Sequence, residues 1–352
     1  TVSVWAGTTL QEIQQTVHEA GFLFPLDLGA RGSCQIGGNI ATNAGGNAVI
    51  RYGMTRELVL GLEVVLADGR VLNLMNKMIK NNCGYDLKQC FIGSEGTLGV
   101  ITRAVLKMAA QPGETTTLLC ALPDYASAVS LLRRVQRSAG TPQAYELMWQ
   151  DFFQMGVSWL ENPIAPMPDD YPLYVLLESS ASREVLEHTL ESALEAGEVM
   201  DAIVASSQNQ ARGLWKIREA TGEFPVRLAP LNFDISLPIG QIGAFADTCR
   251  QRLAERWPDN LSVYFGHIGD SNLHLTVDCN SLPQPAPILE IEELVYSAVG
   301  ERHGAVSAEH GIGLLKREFL HHSVTDEALQ SMRQLKHCFD PSGILNPGKI
   351  LG

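Results

Sequence analysis

Between residues 110 and 115 the spacing of apolar residues changes character, and one compact domain does not accommodate both patterns. Upstream, strands alternate with glycine-rich loops; downstream, strands alternate with amphipathic helices. A chain of 352 residues is long enough to bury two cores. The pattern therefore predicts two domains, residues 1–110 and 111–352.

The upstream region opens directly on a strand, with Val2, Val4 and Ala6 alternating. Thr8 or Thr9 then caps a helix whose Leu10, Ile13 and Val17 share one face until Gly21 ends it. Residues 22–60 are rich in glycine and asparagine and read as surface loop. Asp68-Gly69 joins strands at Gly61–Leu66 and Arg70–Leu74, a strong hairpin signal, and a further strand follows at Leu98–Met108. Opening on a strand without lead-in predicts that the domain has a part upstream of Thr1.

Beyond Thr115, strands are expected near 115–122, 143–148, 172–180, 199–205 and 233–237, with helices near 182–196, 207–221 and 240–256. A further helix is capped by Asp124 and stopped by Gly140. Two strands flank a Gly-Asp turn at 269–270, and the last helices run to His303 and over about 325–338. The class is α+β or α/β, with sheet order open.

A formal charge of -13 repels phosphate backbones, so nucleic acid is excluded as a partner, and any anionic substrate has to meet a local basic site. No apolar run approaches the length of a membrane span. Seven scattered cysteines without a CxxC pair argue against an iron–sulfur site or a disulfide framework and favour a reducing, cytoplasmic setting, either free or peripheral to the inner face of a membrane.

The densest chemistry lies in GHIGDSNLHL, where a turn can return His274 beside His267, the arrangement a borderline divalent cation requires. Taken singly, each histidine is an ordinary polar strand residue. SAEHGIG adds Glu309 as an anionic ligand and His310 as a base beside it, and glycines at 311 and 313 let backbone approach a ligand. Two histidines and one carboxylate leave coordination positions open, as catalytic sites do. In LWKIRE, Trp215 and Arg218 share a helical face, so an anchored indole could hold a guanidinium toward a carboxylate; a surface salt bridge to Glu219 or Glu223 is the competing reading. Neither GxGxxG after a strand nor GxxxxGK[ST] is present, so no nicotinamide fingerprint or P-loop is claimed.

SCQIGGNIATNAGG, KNNCGYDLKQCFIGSEGTLGVIT, LWKIRE, GHIGDSNLHL, SAEHGIG and FDPSGILNPGKIL together resemble the FAD-linked oxidases of the vanillyl-alcohol oxidase type. The similar branch contains D-lactate, glycolate and D-2-hydroxyglutarate dehydrogenases. The resemblance implies an α+β protein: the C-terminal part of an FAD domain, lacking its N-terminal subdomain, and a substrate domain with an antiparallel sheet covered by helices. It implies FAD lined by Gly37, Gly38, Asn39, Thr42, Asn43, Gly45 and Gly46, by Asn82, Gly84 and Tyr85, and by Gly93, Glu95, Gly96, Gly99 and Ile101. It also implies a divalent metal, zinc with manganese as the alternative, on His267, His274 and Glu309. His310 matches the catalytic base and Arg218 the carboxylate anchor.

On that footing a 2-hydroxyacid is oxidised to the 2-oxoacid with hydride passing to flavin N5. The acceptor is expected to be a quinone, a cytochrome or an electron-transfer protein, and a homodimer is allowed. Where relatives specific for D-2-hydroxyglutarate carry a threonine and a lysine, this chain has Gly222 and Asn232, and Thr276 replaces an asparagine. These departures tilt the expectation toward a D-lactate-like substrate. A metal-dependent hydrolase without flavin and a non-catalytic subunit are the rival readings.

Overall fold

The computed structural model describes residues 1–351. Contacts divide the chain into two units: Thr1–Pro112 together with the segment from Ser307 onward, and Gly113–Val306.

The first unit contains β1 (Val2–Trp5), β2 (Phe22–Leu23), β3 (Val59–Val65), β4 (Val71–Asn73), β5 (Val100–Leu106) and β6 (Ala109–Ala110). Four of them form an antiparallel sheet in the order β1-β5-β3-β4, and β2 pairs with β6. The Asp68-Gly69 turn closes the β3–β4 hairpin, with Leu66 N–H donating to the Arg70 carbonyl at 2.9 Å. The helix Leu10–Glu19 begins at Thr9 in a capping box with Glu12, and Leu10, Ile13 and Val17 are all buried. Burying three such side chains contributes about 1.5–3 kcal/mol each. Residues 22–60, expected as loop, contain short helices at Ile36–Ala41, Val49–Tyr52 and Thr55–Leu58. Ile36 and Ile40 enter the same core as Leu62, Val64 and Phe91.

The expected second domain ran to residue 352, whereas the segment from Ser307 belongs to the first unit. Local anchors explain the difference. Phe339, at the end of the helix Asp326–Phe339, packs against the first unit's core and meets Phe91 edge to face at 5.3 Å. Lys336 Nζ donates to the Thr97 carbonyl at 2.8 Å, and Asn346 Nδ2 donates to the Glu95 carbonyl at 2.5 Å.

The second unit carries β7 (Thr116–Leu122), β8 (Ala144–Trp149), β9 (Leu173–Ser179), β10 (Asp201–Val204), β11 (Pro230–Ser236), β12 (Ser262–His267) and β13 (Asn272–Asp278). They form one sheet, β10-β7-β9-β8-β12-β13-β11, in which every neighbouring pair is antiparallel. Helices Gln150–Ser158 and Gln208–Arg218 cover part of it: Phe152, Phe153, Leu214 and Ile217 share a cluster with Leu119, Tyr174 and Phe265 of the strands. The sequence reading did not expect the first of these helices. The two pack closely, since a Cβ at Gly156 would lie 2.7 Å from the Ile217 carbonyl. The helix Tyr125–Ser138 is capped by Asp124, as read from the sequence. All seven cysteines are free, and no described helix is long and apolar enough to cross a membrane.

Candidate active site

In the second unit, β12 and β13 are joined by a tight turn through Ile268–Asp270, with Ser271 at φ 74°. Antiparallel return places Phe265 opposite His274, and the rings of His267 and His274 lie 5.3 Å apart, nearly perpendicular. The expectation that the turn brings the two imidazoles together is met within this unit.

On the neighbouring strands each imidazole faces a carboxylate. Glu146 of β8 is the register partner of His267, and its Oε1 lies 2.7 Å from His267 Nδ1. Asp234 of β11 is the register partner of His274, with Oδ1 3.9 Å from Nδ1, and it accepts from Asn272 Nδ2 at 2.7 Å. Burial pushes the Glu146 carboxyl up, but the charges at His267 and Arg218 outweigh it and hold it below the ordinary carboxylate range. An ionised carboxylate only accepts, so the hydrogen in this contact sits on His267 Nδ1, and the ring in its neutral form carries its lone pair on Nε2. That is the tautomer a metal-binding imidazole takes, oriented by an outer carboxylate.

Arg218 closes the helix Gln208–Arg218, next to buried Leu214 and Ile217, and is itself only 7% exposed. Its Nε and Nη2 each lie 2.9 Å from Glu146 Oε2, and its guanidinium sits 4.9 Å from the Phe265 ring centre. The salt-bridge reading is thereby corrected: the partner is buried Glu146, not Glu219 or Glu223, because Arg218 turns with the apolar face. Trp215 is half-buried against the core and donates to Glu178 at 3.2 Å. Sequence reasoning missed Glu146 and Asp234. Their signal was a lone charge inside an apolar strand, YELMW and FDIS, which is rare unless the charge is paired.

In the first unit a cavity of about 410 Å³ is lined by Thr42, Asn43, Gly93, Glu95 and Gly311, among others. Arg56 lines it too, tying the loop at 43–56 to the one at 89–92 by donating to the Gln89 and Ile92 carbonyls at 3.0 and 2.6 Å; the sequence reading did not single it out. Asn39 is buried, and its side-chain oxygen has no partner among the described residues, a group suited to a donor on a bound cofactor.

Other residues assigned to the cofactor also have a part in packing the fold. A Cβ at Gly37 would lie 2.7 Å from the Ala6 Cβ, at Gly46 2.0 Å from the Asp27 carbonyl, and at Gly99 2.4 Å from Val64 Cγ1. Ile101 packs on the unit's core. Gly38 and Gly96 line no close contact of this kind, whereas Gly45 stands against Glu309. Asn82, Gly84 and Tyr85 are exposed, Tyr85 at 95%, and none of them lines the cavity. Glu309 is half-buried, and His310 is exposed.

The family described as FAD linked oxidases, C-terminal domain, matches residues 111–350. The chain belongs to the FAD linked oxidases. The first 75 residues of this FAD linked oxidase also match the family described as FAD binding domain. It is 40% identical over 354 residues to a probable mitochondrial D-2-hydroxyglutarate dehydrogenase of Oryza sativa subsp. indica, covering 98% of this chain and 63% of the rice protein. It is 38% identical over 352 residues to the D-2-hydroxyglutarate dehydrogenase of Stutzerimonas stutzeri (strain A1501), covering 98% and 75%. An alkyldihydroxyacetonephosphate synthase structure shares its fold with a TM-score of 0.70 at 17% identity, covering 98% of this chain and 64% of that one. The chain thus spans less than two thirds of the length of the rice relative.

Proposed function

We propose that this FAD linked oxidase oxidises a 2-hydroxyacid to the corresponding 2-oxoacid. The observation that carries the reading is the buried constellation of the second unit, in which Glu146 holds both His267 and Arg218. Nη1 of Arg218 makes no hydrogen bond among the described residues, so the guanidinium retains a donor edge for a substrate carboxylate. His310 takes the hydroxyl proton as general base. Bound flavin supplies the acceptor for the C2 hydride, and the names of both matched families support its presence.

The resemblance assigns a divalent cation, zinc or manganese, to His267, His274 and Glu309, where it would supply charge stabilisation at the substrate oxygens. The donor types fit such a cation, and the Glu146 contact fixes the His267 tautomer it needs.

The substrate we favour is D-lactate-like. Asn232 and Thr276, cross-strand partners on β11 and β13, bond to each other at 2.7 Å and add no positive charge for a second carboxylate. Gly222 offers no side chain at all. D-2-hydroxyglutarate, the substrate in the relatives' names, is the competitor. Anaerobic bleaching of the flavin by D- and L-lactate and D-2-hydroxyglutarate, in protein carrying the complete FAD domain, tests both levels. No bleaching by any 2-hydroxyacid sinks the activity; faster bleaching by D-2-hydroxyglutarate sinks only the substrate preference.

A further inference from the structure

Glu95 and Gly45 both sit in the glycine-rich loops that the sequence assigns to the cofactor. In the structure each is turned toward the Glu309–Gly313 segment of the same unit. Glu95 Oε1 accepts from the Ile312 N–H at 2.6 Å and Oε2 from the Gly313 N–H at 2.8 Å. Two successive amides pointed at one carboxylate make an anion nest, and charge-assisted bonds of this kind are roughly twice as strong as neutral ones.

The loop is shaped for this contact. Glu95 is held at φ 51°, a left-handed conformation costly for a non-glycine residue. Its own N–H donates to the Ala41 carbonyl at 2.7 Å, and its carbonyl accepts from Asn346 at 2.5 Å, so backbone bonds on both sides hold the strained residue in place. Gly311 has φ 77°, and a Cβ there would lie 2.7 Å from Glu95 Oε1. The ligand that this glycine lets approach is therefore the chain's own carboxylate. At the other end of the segment, a Cβ on Gly45 would lie 2.5 Å from Glu309 Oε1. The carboxylate occupies the space that a side chain at 45 would fill.

We infer that Glu95 and Gly45 are positioning residues for the Glu309–His310 pair: Glu95 fixes the backbone just beyond it, and Gly45 leaves room for the Glu309 carboxylate. The inference rests on the proposed roles of Glu309 as metal ligand and His310 as base. Because Glu309 and His310 lie within four residues of both Glu95-held amides, a loosened clasp shifts them directly.

The test uses the full chain, Zn²⁺ alone as probe, and backbone amide exchange at Ile312 and Gly313. In Glu95→Gln the side-chain NH₂ meets one of the two N–H groups, donor against donor. Protection of those amides is expected to fall and the zinc Kd to rise by about tenfold, as for loss of an outer positioning group. Glu95→Asp keeps the charge and should recover part of both. Gly45→Ala should raise the Kd by a similar factor while leaving the two amides protected, since it displaces the ligand and not the clasp. Zinc affinity equal to wild type in Glu95→Gln, with amide protection lost, overturns the inference. A wild-type chain that takes up no Zn²⁺ overturns the metal reading beneath it, and amide exchange, which needs no metal, tells that failure from failure of the clasp.

Discussion

Glu146 and His267 stand directly opposite each other on β8 and β12, and the carboxylate oxygen of one lies 2.7 Å from Nδ1 of the other. Strand register alone puts them there, and the same carboxylate also neutralises Arg218. Glu146→Gln keeps the shape but removes the charge, leaving a buried guanidinium uncompensated. Breaking such a pair costs roughly 3–5 kcal/mol, and losing an outer carboxylate weakens a metal site by about 10–100-fold. Urea unfolding and zinc titration measure the two effects; an unchanged urea midpoint would show that the pair contributes nothing to folding.

Arg218→Lys tests the proposed role of Arg218 as substrate anchor. An ammonium cannot bond Glu146 through one edge and keep a second planar edge for a ligand. Loss of one charge-assisted hydrogen bond, about 1.5–3 kcal/mol, predicts a rise in KM of roughly 10–100-fold. Steady-state kinetics with D-lactate checks it, and a KM within twofold of wild type returns Arg218 to a purely structural role.

His310 is exposed and lies next to Glu309, so its loss should leave the fold intact. His310→Ala is expected to slow anaerobic flavin reduction by about 100-fold or more without changing zinc affinity. Stopped-flow absorbance reads the rate, and a normal rate removes the residue from proton transfer.

Gly99→Ala separates packing from cofactor contact. The added methyl would meet Val64 Cγ1 at 2.4 Å and the Phe91 ring at about 3 Å, both in the core. Overpacking of this kind costs typically about 1–3 kcal/mol. The loss should appear in chemical unfolding of the flavin-free chain; a loss seen only when flavin is present would favour the cofactor role instead.

Asp340 supplies a pH signature. Burial works to raise its pKa, but Lys336 and the Leu345 and Ile344 amides win and hold it at about 2, against an ordinary value of 3.8. A depressed folded-state pKa stabilises the fold fully above the ordinary value, and that stability is lost as pH falls from there through about 2. Asp340→Asn should flatten the acid limb of an unfolding-versus-pH curve in this window. Parallel curves for the two proteins would show that the carboxylate does not govern acid stability.

The elements readable from sequence are those specified locally. The Leu10, Ile13, Val17 stripe, the Thr9 and Asp124 caps and the Asp68-Gly69 turn each need only neighbouring residues, and each is present. The His267–His274 approach was readable because one short turn creates it. Contacts set by sheet order were not: Glu146 is 121 residues from His267 and 72 from Arg218, and nothing local announces that β8 lies beside β12. Nor does a glycine-rich loop reveal what its missing side chains admit. At Gly37 and Gly99 it is the chain itself, and at Gly45 a carboxylate 264 positions further on, the difference between 309 and 45.

Because Lys336, Phe339 and Asn346 complete a unit begun by the first 112 residues, that unit lacks these contacts while the ribosome is still translating the intervening sheet. The middle of the chain is free to fold during synthesis, whereas the contacts that Lys336, Phe339 and Asn346 make with the first 112 residues form only after the helix Asp326–Phe339 has been synthesised. Nascent chains arrested before residue 326 should therefore yield a protease-resistant middle fragment and a beginning cut more readily than in chains that include residues 326–351.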